Sequence, residues 1–302
     1  GVSRDDARDY AVVGCVELST QGNSWGGSDA AMFNLVKVLE LAINDGVCML
    51  TGKQLGPKTG LLSDFGTMEE FLTAYRRQFD YFFDRMIPLC DAVDRLHAEV
   101  LPSPFLSGVI EGCLEKGVDV TAGGAIYNLS GIQAIQVANL ADSLAALAQD
   151  VFANVPRAAS SDAAASIASP ATVRPLGAIT ADRLLRALRS DFDGEEPLRQ
   201  HLIQAVPKYG NDVEWVDRLG ASWADYFAGR LGDFTNARGG PYHMGLYTVS
   251  AHVPMGKNVA ATPDGRRARE PLADGGMSAM YGRDTSGPTA LLNSVARVDS
   301  IR

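Results

Sequence analysis

Cys15 and Glu17 have the residue types and the spacing for chemistry near the start of the 302-residue chain. A thiol and a carboxylate side by side combine a reactive sulfur with a group that accepts a proton. The run Tyr10-Ala-Val-Val-Gly-Cys-Val-Glu-Leu predicts a strand. Alternation along it projects Cys15 and Glu17 to one side while Val16 faces away. Gly14 permits a sharp turn or a close backbone approach there. The competing reading is a buried cysteine at a strand end beside a chance glutamate. Downstream, Gly22-Asn-Ser-Trp-Gly-Gly-Ser-Asp-Ala-Ala-Met-Phe-Asn-Leu runs from a glycine-rich loop into a predicted helix. Ser28 has the chemistry of its N-cap, which places Asp29 in a first turn where the helix dipole favours an anion. Cys15, Glu17 and Asp29 are then expected around one pocket.

The elements that position these groups are mostly helical. Met32–Asn44 is apolar nearly all round, with Asn34, Lys37, Glu40 and Asn44 as a narrow polar stripe, and predicts a buried helix closed by Gly46. Thr67-Met-Glu-Glu is a capping box. Phe71, Leu72, Tyr75, Phe79, Phe82, Phe83 and Met86 follow at helical spacing and read as core rather than a cofactor box. Further helices are expected at Asp91–Val100, Phe105–Lys116 (closed by Gly117) and Gly131–Ala153, and again from Thr180 to Leu231. The Ala-, Ser- and Pro-rich residues 154–176 read as a flexible surface insertion. Leu246–Val253 is rich in β-branched and aromatic residues and predicts a strand. Thr262-Pro-Asp-Gly-Arg-Arg predicts a turn.

Composition narrows the function classes. An apolar fraction of 46% and a charged fraction of 21% describe a soluble globular chain, and a net charge of −9 argues against a nucleic-acid binder. The Arg266-Arg267-Ala-Arg269 cluster sits in a turn-rich segment and reads as local pairing or surface. No apolar run reaches the roughly 20 residues of a bilayer span. The four cysteines show no metal spacing and read as reduced thiols of a cytoplasmic protein; with four scattered histidines, no metal site is expected. Thr51-Gly-Lys-Gln lacks the spacing of a phosphate loop. Beginning without Met and stopping at Arg302 without a closing element, the chain reads as a piece of a longer polypeptide.

Gly-Cys-Val-Glu with Asp29 fourteen residues after the cysteine, followed by Ala-Ala-Met-Phe-Asn-Leu, resembles the glycyl radical enzymes. Within them it is most similar to the glycerol and propanediol dehydratase branch of the pyruvate formate-lyase-like family. Asp119–Gln133, Ala138–Ala146 and the stretch from Thr262 to Ala290 repeat the likeness. It implies an α/β fold, the second half of a ten-stranded, helix-rich pyruvate formate-lyase-type barrel, with residues 1–302 as a fragment of one catalytic domain. The family's Arg-Val-x-Gly radical motif does not occur in the chain, so the glycyl radical domain is absent and the fragment alone is expected to be inactive.

By the resemblance, Cys15 becomes a thiyl radical that takes hydrogen from C1 of a small 1,2-diol, glycerol or propane-1,2-diol. Glu17 deprotonates the hydroxyl on that carbon, and the C2 group leaves to give an aldehyde. Asp29 holds the neighbouring hydroxyl. Tyr247 closes the pocket from the late strand, with Tyr242 as the alternative register, while His243 and His252 bond locally. No cofactor is bound by the fragment. The parent requires a glycyl radical installed by an activating enzyme using S-adenosylmethionine and an iron–sulfur cluster, and is expected to be a homodimer working anaerobically. The rival inside the family is a C–S or C–N lyase such as an isethionate sulfite-lyase. Outside it stand a non-catalytic helical interaction module and a thiol-nucleophile hydrolase, the latter lacking a histidine near Cys15 in sequence.

Overall fold

The computed structural model describes residues 1–14, 17–153 and 179–298. Cys15 and the insertion expected at 154–176 lie outside these residues. The described chain is mixed α/β and helix-rich, and divides into two compact units.

The first unit comprises Gly1–Phe33, Phe83–Ala134 and Tyr226–Tyr247. After the short helix α1 (Arg4–Arg8), strands β1 (Tyr10–Val13) and β2 (Glu17–Thr20) pair antiparallel, with Val13 opposite Glu17. The expected strand therefore does not run straight to Leu18. Gly14 adopts φ +59°, a left-handed conformation that glycine enters without penalty, and the chain turns back on itself. Nor is the hairpin buried: Tyr10, Val12, Val13 and Leu18 are all exposed.

Strand β3 (Gly27–Asn34) replaces the helix start expected at Ser28. Its backbone is drawn into a three-stranded sheet of order β3-β4-β5, with β4 at Ser130–Ile135 and β5 at Tyr242–Gly245. Strands β4 and β5 run parallel, Ser130 opposite Tyr242 and Gln133 opposite Gly245. Two predictions are corrected by this sheet. Residues 131–135 are strand rather than helix, and the late strand lies at 242–245, upstream of the expected 246–253. Val249 at φ +50° and the helix α10 (His252–Gly256) exclude a strand at the later position.

The glycines of the Asp119–Gln133 stretch are there for close approach. A Cβ on Gly131 would lie 2.3 Å from the Ser28 carbonyl oxygen, and one on Gly124 would lie 2.1 Å from that of Val118. Phe33, Phe83 and Phe227 form an edge-to-face aromatic cluster beneath, with centroids 5.6–6.2 Å apart. The Tyr127 hydroxyl donates to Asp6 and accepts from the Ser3 amide, and the Asn128 amide donates to the Ala125 carbonyl.

The second unit comprises Asn34–Phe82, Ile135–Asp225 and Thr248–Arg302. Asn34, six residues later than expected, caps α2 (Leu35–Ile43) by accepting from the Lys37 amide. Every residue of α2 except Lys37 is buried, and it packs on the fully buried α6 (Val137–Ala146). Asp45 and Gly46 close α2 in left-handed conformations. Glu40 accepts from Lys37 Nζ at 2.7 Å and from the Met49 and Ala260 amides, so the predicted polar stripe is consumed internally.

The capping box at Thr67 forms as expected, with reciprocal 3.2 Å bonds between Thr67 and Glu70. It opens α3 (Met68–Val100), one continuous helix through Pro88 where two were predicted. Its fully buried Phe71, Tyr75 and Phe79 are core, Tyr75 standing edge-on to Trp223 at 4.3 Å. The predicted Phe105–Lys116 helix is instead two short ones, α4 (Pro104–Ser107) and α5 (Cys113–Lys116), in the first unit, with Gly117 ending the latter. The run from Thr180 to Leu231 resolves into α7 (Ala181–Arg189), α8 (Glu196–Gln204) and α9 (Glu214–Leu231).

Thr262–Arg266 is the expected turn, closed by the Gly265 amide on the Thr262 carbonyl. Of the basic cluster, Arg266 is 1% exposed and donates to backbone carbonyls of Ala260, Arg267 and Glu270, while Arg267 pairs with Glu196. The chain continues into α11 (Pro288–Ala296). Among the described residues no helix is long and apolar enough to cross a membrane.

The close β3–β4 approach gives a first test. Gly131→Ala is expected to cost about 1–3 kcal/mol through overpacking against Ser28. Gly26→Ala, which meets nothing within 4 Å, is expected to change stability by less than about 0.5 kcal/mol. Urea unfolding midpoints of the two variants check the contrast.

Candidate functional site

Glu17, Ser28, Gln133 and Tyr247 meet in the first unit, each delivered by a different strand or strand end. Glu17 opens β2, where the reversal at Gly14 folds its carboxylate back over the turn. A Cβ on Gly14 would sit 2.7 Å from Glu17 Oε2. Tyr247 follows β5 by two residues, and its hydroxyl oxygen lies 2.9 Å from Glu17 Oε1 and 2.8 Å from the Ser28 carbonyl oxygen. The Ser28 hydroxyl stands at 3.5 Å from the same carboxylate oxygen, the outer limit of a hydrogen bond. Burial first, and then the Glu17 carboxylate, push the Tyr247 phenol well above its ordinary range, so it remains protonated and acts as a donor.

Asp29 lies on β3, next in sequence to Ser28. The helix-dipole argument for it fails, because the helix begins at Leu35. Asp29 is an exposed residue, but partial desolvation raises its carboxyl from the ordinary value, and the charge of Glu17 adds to the rise. Two carboxylates close enough to repel make a site in which the first proton to arrive is held more readily than on an isolated acid.

The register left open between Tyr242 and Tyr247 is resolved. Tyr242 is buried and donates to Asp91 Oδ1 at 2.7 Å, tying β5 to α3, whereas Tyr247 faces Glu17. His252 contacts Tyr281 at 3.2 Å and Asp274 at 3.4 Å, a local pairing. Cys15 itself lies outside the described residues, between Gly14 and the site glutamate.

Sequence reading missed the parts played by Ser28 and Gln133. Ser28 contributes through its backbone carbonyl, which has no side-chain signature. Gln133 had one: an amide inside the apolar run Gly131-Ile-Gln-Ala-Ile is a buried polar group in want of a partner. Among the described residues no group of three or more potential ligands is arranged to hold a metal ion.

Comparison with known proteins follows the same geometry. The family model described as pyruvate formate lyase-like matches residues 1–166 and 172–256. The (2S)-3-sulfopropanediol dehydratase of Klebsiella oxytoca is 36% identical over 304 residues, covering 99% of this chain and 34% of that enzyme. The isethionate sulfite-lyase of Oleidesulfovibrio alaskensis is 29% identical, covering 97% of this chain and 33% of its own length. Among solved structures, the glycerol-bound B12-independent glycerol dehydratase of Clostridium butyricum superposes with a TM-score of 0.87 at 39% identity, over 99% of this chain and 35% of that one. The chain thus spans about a third of the length of the relatives it matches, and its fold is part of the pyruvate formate-lyase-type α/β architecture.

The raised Asp29 carboxyl has a stability consequence with a definite sign. Its folded state binds the proton more tightly than the unfolded state does. Its charge therefore costs stability above the ordinary value of 3.8, and that cost is absent below it. Asp29→Asn is expected to stabilise the fold near neutral pH by less than about 1 kcal/mol, given its exposure. The gain should disappear as the pH falls below that value, read as the difference in urea midpoints at the two pH values.

Proposed function

The chain belongs to the pyruvate formate lyase-like family of glycyl radical enzymes, and from that membership we propose that it carries the hydrogen-abstracting and proton-accepting residues of a radical dehydratase acting on a small 1,2-diol such as glycerol or propane-1,2-diol. The carrying observation is Glu17 turned back at a hairpin tip, immediately after Cys15 and Val16, and gripped by Tyr247.

A glycyl radical elsewhere in the parent, installed by an activating enzyme using S-adenosylmethionine and an iron–sulfur cluster, would supply the unpaired electron. The exposed flanks of the hairpin fit a tip that other parts of the parent approach and cover. Cys15 as a thiyl takes a hydrogen atom from C1, an exchange that is close to thermoneutral because S–H and activated C–H bonds are similar in strength. Glu17 accepts the C1 hydroxyl proton. The developing C=O then drives out the C2 hydroxyl, which leaves as water with one added proton. Cys15 returns its hydrogen atom to the carbon radical, giving the aldehyde and restoring the thiyl. Asp29 bonds the C2 hydroxyl. Its raised proton affinity suits it to delivering the proton that makes that hydroxyl a leaving group. Tyr247 keeps the Glu17 carboxylate aimed at C1 throughout.

The likeness to an isethionate sulfite-lyase favours one second reading, in which a group other than hydroxyl, such as sulfite, leaves from C2. Either way the parent is a lyase for a small polyol-type or sulfonated substrate, working anaerobically in the cytoplasm as a homodimer.

The test uses the full-length protein, activated under strict exclusion of oxygen. Cys15→Ser is expected to abolish turnover, and Glu17→Gln to lower kcat about 100- to 10,000-fold. Retained turnover in Cys15→Ser overturns the radical reading. Assay of aldehyde with and without sulfite release, on diols and on 2-hydroxysulfonates, separates the two leaving groups.

A further inference from the structure

The Tyr247 phenol carries one hydrogen and faces two acceptors, Glu17 Oε1 at 2.9 Å and the Ser28 carbonyl at 2.8 Å. A hydroxyl donates once, so the two acceptors compete for that hydrogen. The Ser28 carbonyl already has a second donor, the Gln133 amide, with Nε2 at 2.7 Å. Each donor a carbonyl accepts lowers its pull on the next.

Gln133 is pinned in place. It is 1% exposed, and its amide lies over Gly245, where a Cβ would approach Oε1 to 1.9 Å. Its Oε1 has no partner among the described residues. An unpaired buried oxygen carries a desolvation cost, and here it accompanies an Nε2 held against Ser28.

We propose that Gln133 is a positioning residue: by donating to the Ser28 carbonyl it directs the Tyr247 hydroxyl onto Glu17 while Glu17 is ionised, and it leaves that carbonyl free to take the hydroxyl once Glu17 is protonated. In the protonated state Glu17 donates to the phenol oxygen and the phenol hydrogen turns wholly to Ser28. Both acceptors are then satisfied with no heavy atom displaced. The site thus passes between two hydrogen-bonded states as Glu17 gains or loses a proton. The inference depends on the dehydratase reading only in making Glu17 the proton acceptor of a reaction; the relay itself stands on geometry.

Among the described residues, the titratable groups that act on or are acted on by Glu17 include Tyr247 beyond β5 and Asp29 on β3. Arg238, whose Nη2 would lie 3.6 Å from a Cβ on Gly27, is committed to Asp94, the Leu129 carbonyl and Ser130.

Infrared pH titration of the full-length protein, with no radical installed, tests this without turnover. The carboxyl stretch of protonated Glu17 is the band that disappears in Glu17→Gln. In Gln133→Met its titration midpoint is expected to rise by about one pH unit, because Ser28 then draws the phenol hydrogen away from the carboxylate. In a Tyr247→Phe background the same replacement is expected to move the midpoint by less than about 0.3 pH unit, the scatter of uncoupled sites. No shift in the first background, or an equal shift in both, overturns the relay. Gln133→Asn, which draws the amide back from Ser28 with less change in packing, is judged by the same rule if Gln133→Met does not fold. Retained turnover in Cys15→Ser would sink the radical reading and leave this result intact.

Discussion

The bare backbone contact between β3 and β4 is the constraint on which the candidate site depends. Because Gly131 has no Cβ, the Ser28 carbonyl can occupy space that any other residue would fill. That carbonyl is the junction of the site: Gln133 reaches it from β4 and Tyr247 from beyond β5. The hydroxyl held there also meets the carboxylate of the hairpin. A strand spacing set by a missing methyl group is thus converted into the position of a carboxylate. The same logic holds at Gly245, which yields its side-chain space to the Gln133 amide. Two glycines on neighbouring strands therefore leave room for one network of hydrogen bonds.

Polar groups in the second unit act differently. Glu40, Arg266 and Asp142 are almost wholly buried, and each bonds backbone: Glu40 takes the Met49 and Ala260 amides, Arg266 a set of carbonyls, and Asp142 the Tyr209 amide. Burial pushes the Asp142 carboxyl up to about 7, against the pull of Lys208. These groups satisfy irregular chain that passes over the buried helices α2 and α6, where water is excluded and every backbone group needs a partner. A perturbed carboxyl here is a consequence of tying down loops. In the first unit two of the perturbed groups, Asp29 and Tyr247, are instead shifted in part by the one carboxylate of Glu17.

Sequence was most legible where local chemistry decides structure. The Thr67–Glu70 capping box, the closure by Gly117 and the Thr262–Arg266 turn each depend on contacts a few residues apart, and each forms as read. It was least legible where sheet pairing overrides local preference. Ser28 is as good an N-cap as Asn34, and Ala30-Ala31-Met32-Phe33 suits a helix as well as a strand. Pairing with β4, thirty times more distant along the chain than a capping contact, settles the matter. The slip of the late strand from 246–253 to 242–245 has the same origin. Of the site, Glu17 and Tyr247 were legible by type and by family likeness. The Ser28 carbonyl was not, because a backbone oxygen carries no letter of its own.

The hairpin of β1 and β2 exposes Tyr10, Val12, Val13 and Leu18, an arrangement that costs stability if it is left in water. Asp29 costs more, since its carboxyl is drawn up by partial desolvation and by a neighbour of like charge. Such conflicts between local stability and local chemistry concentrate where a fold is used rather than merely maintained. Here they coincide in one unit, within the reach of a single phenol.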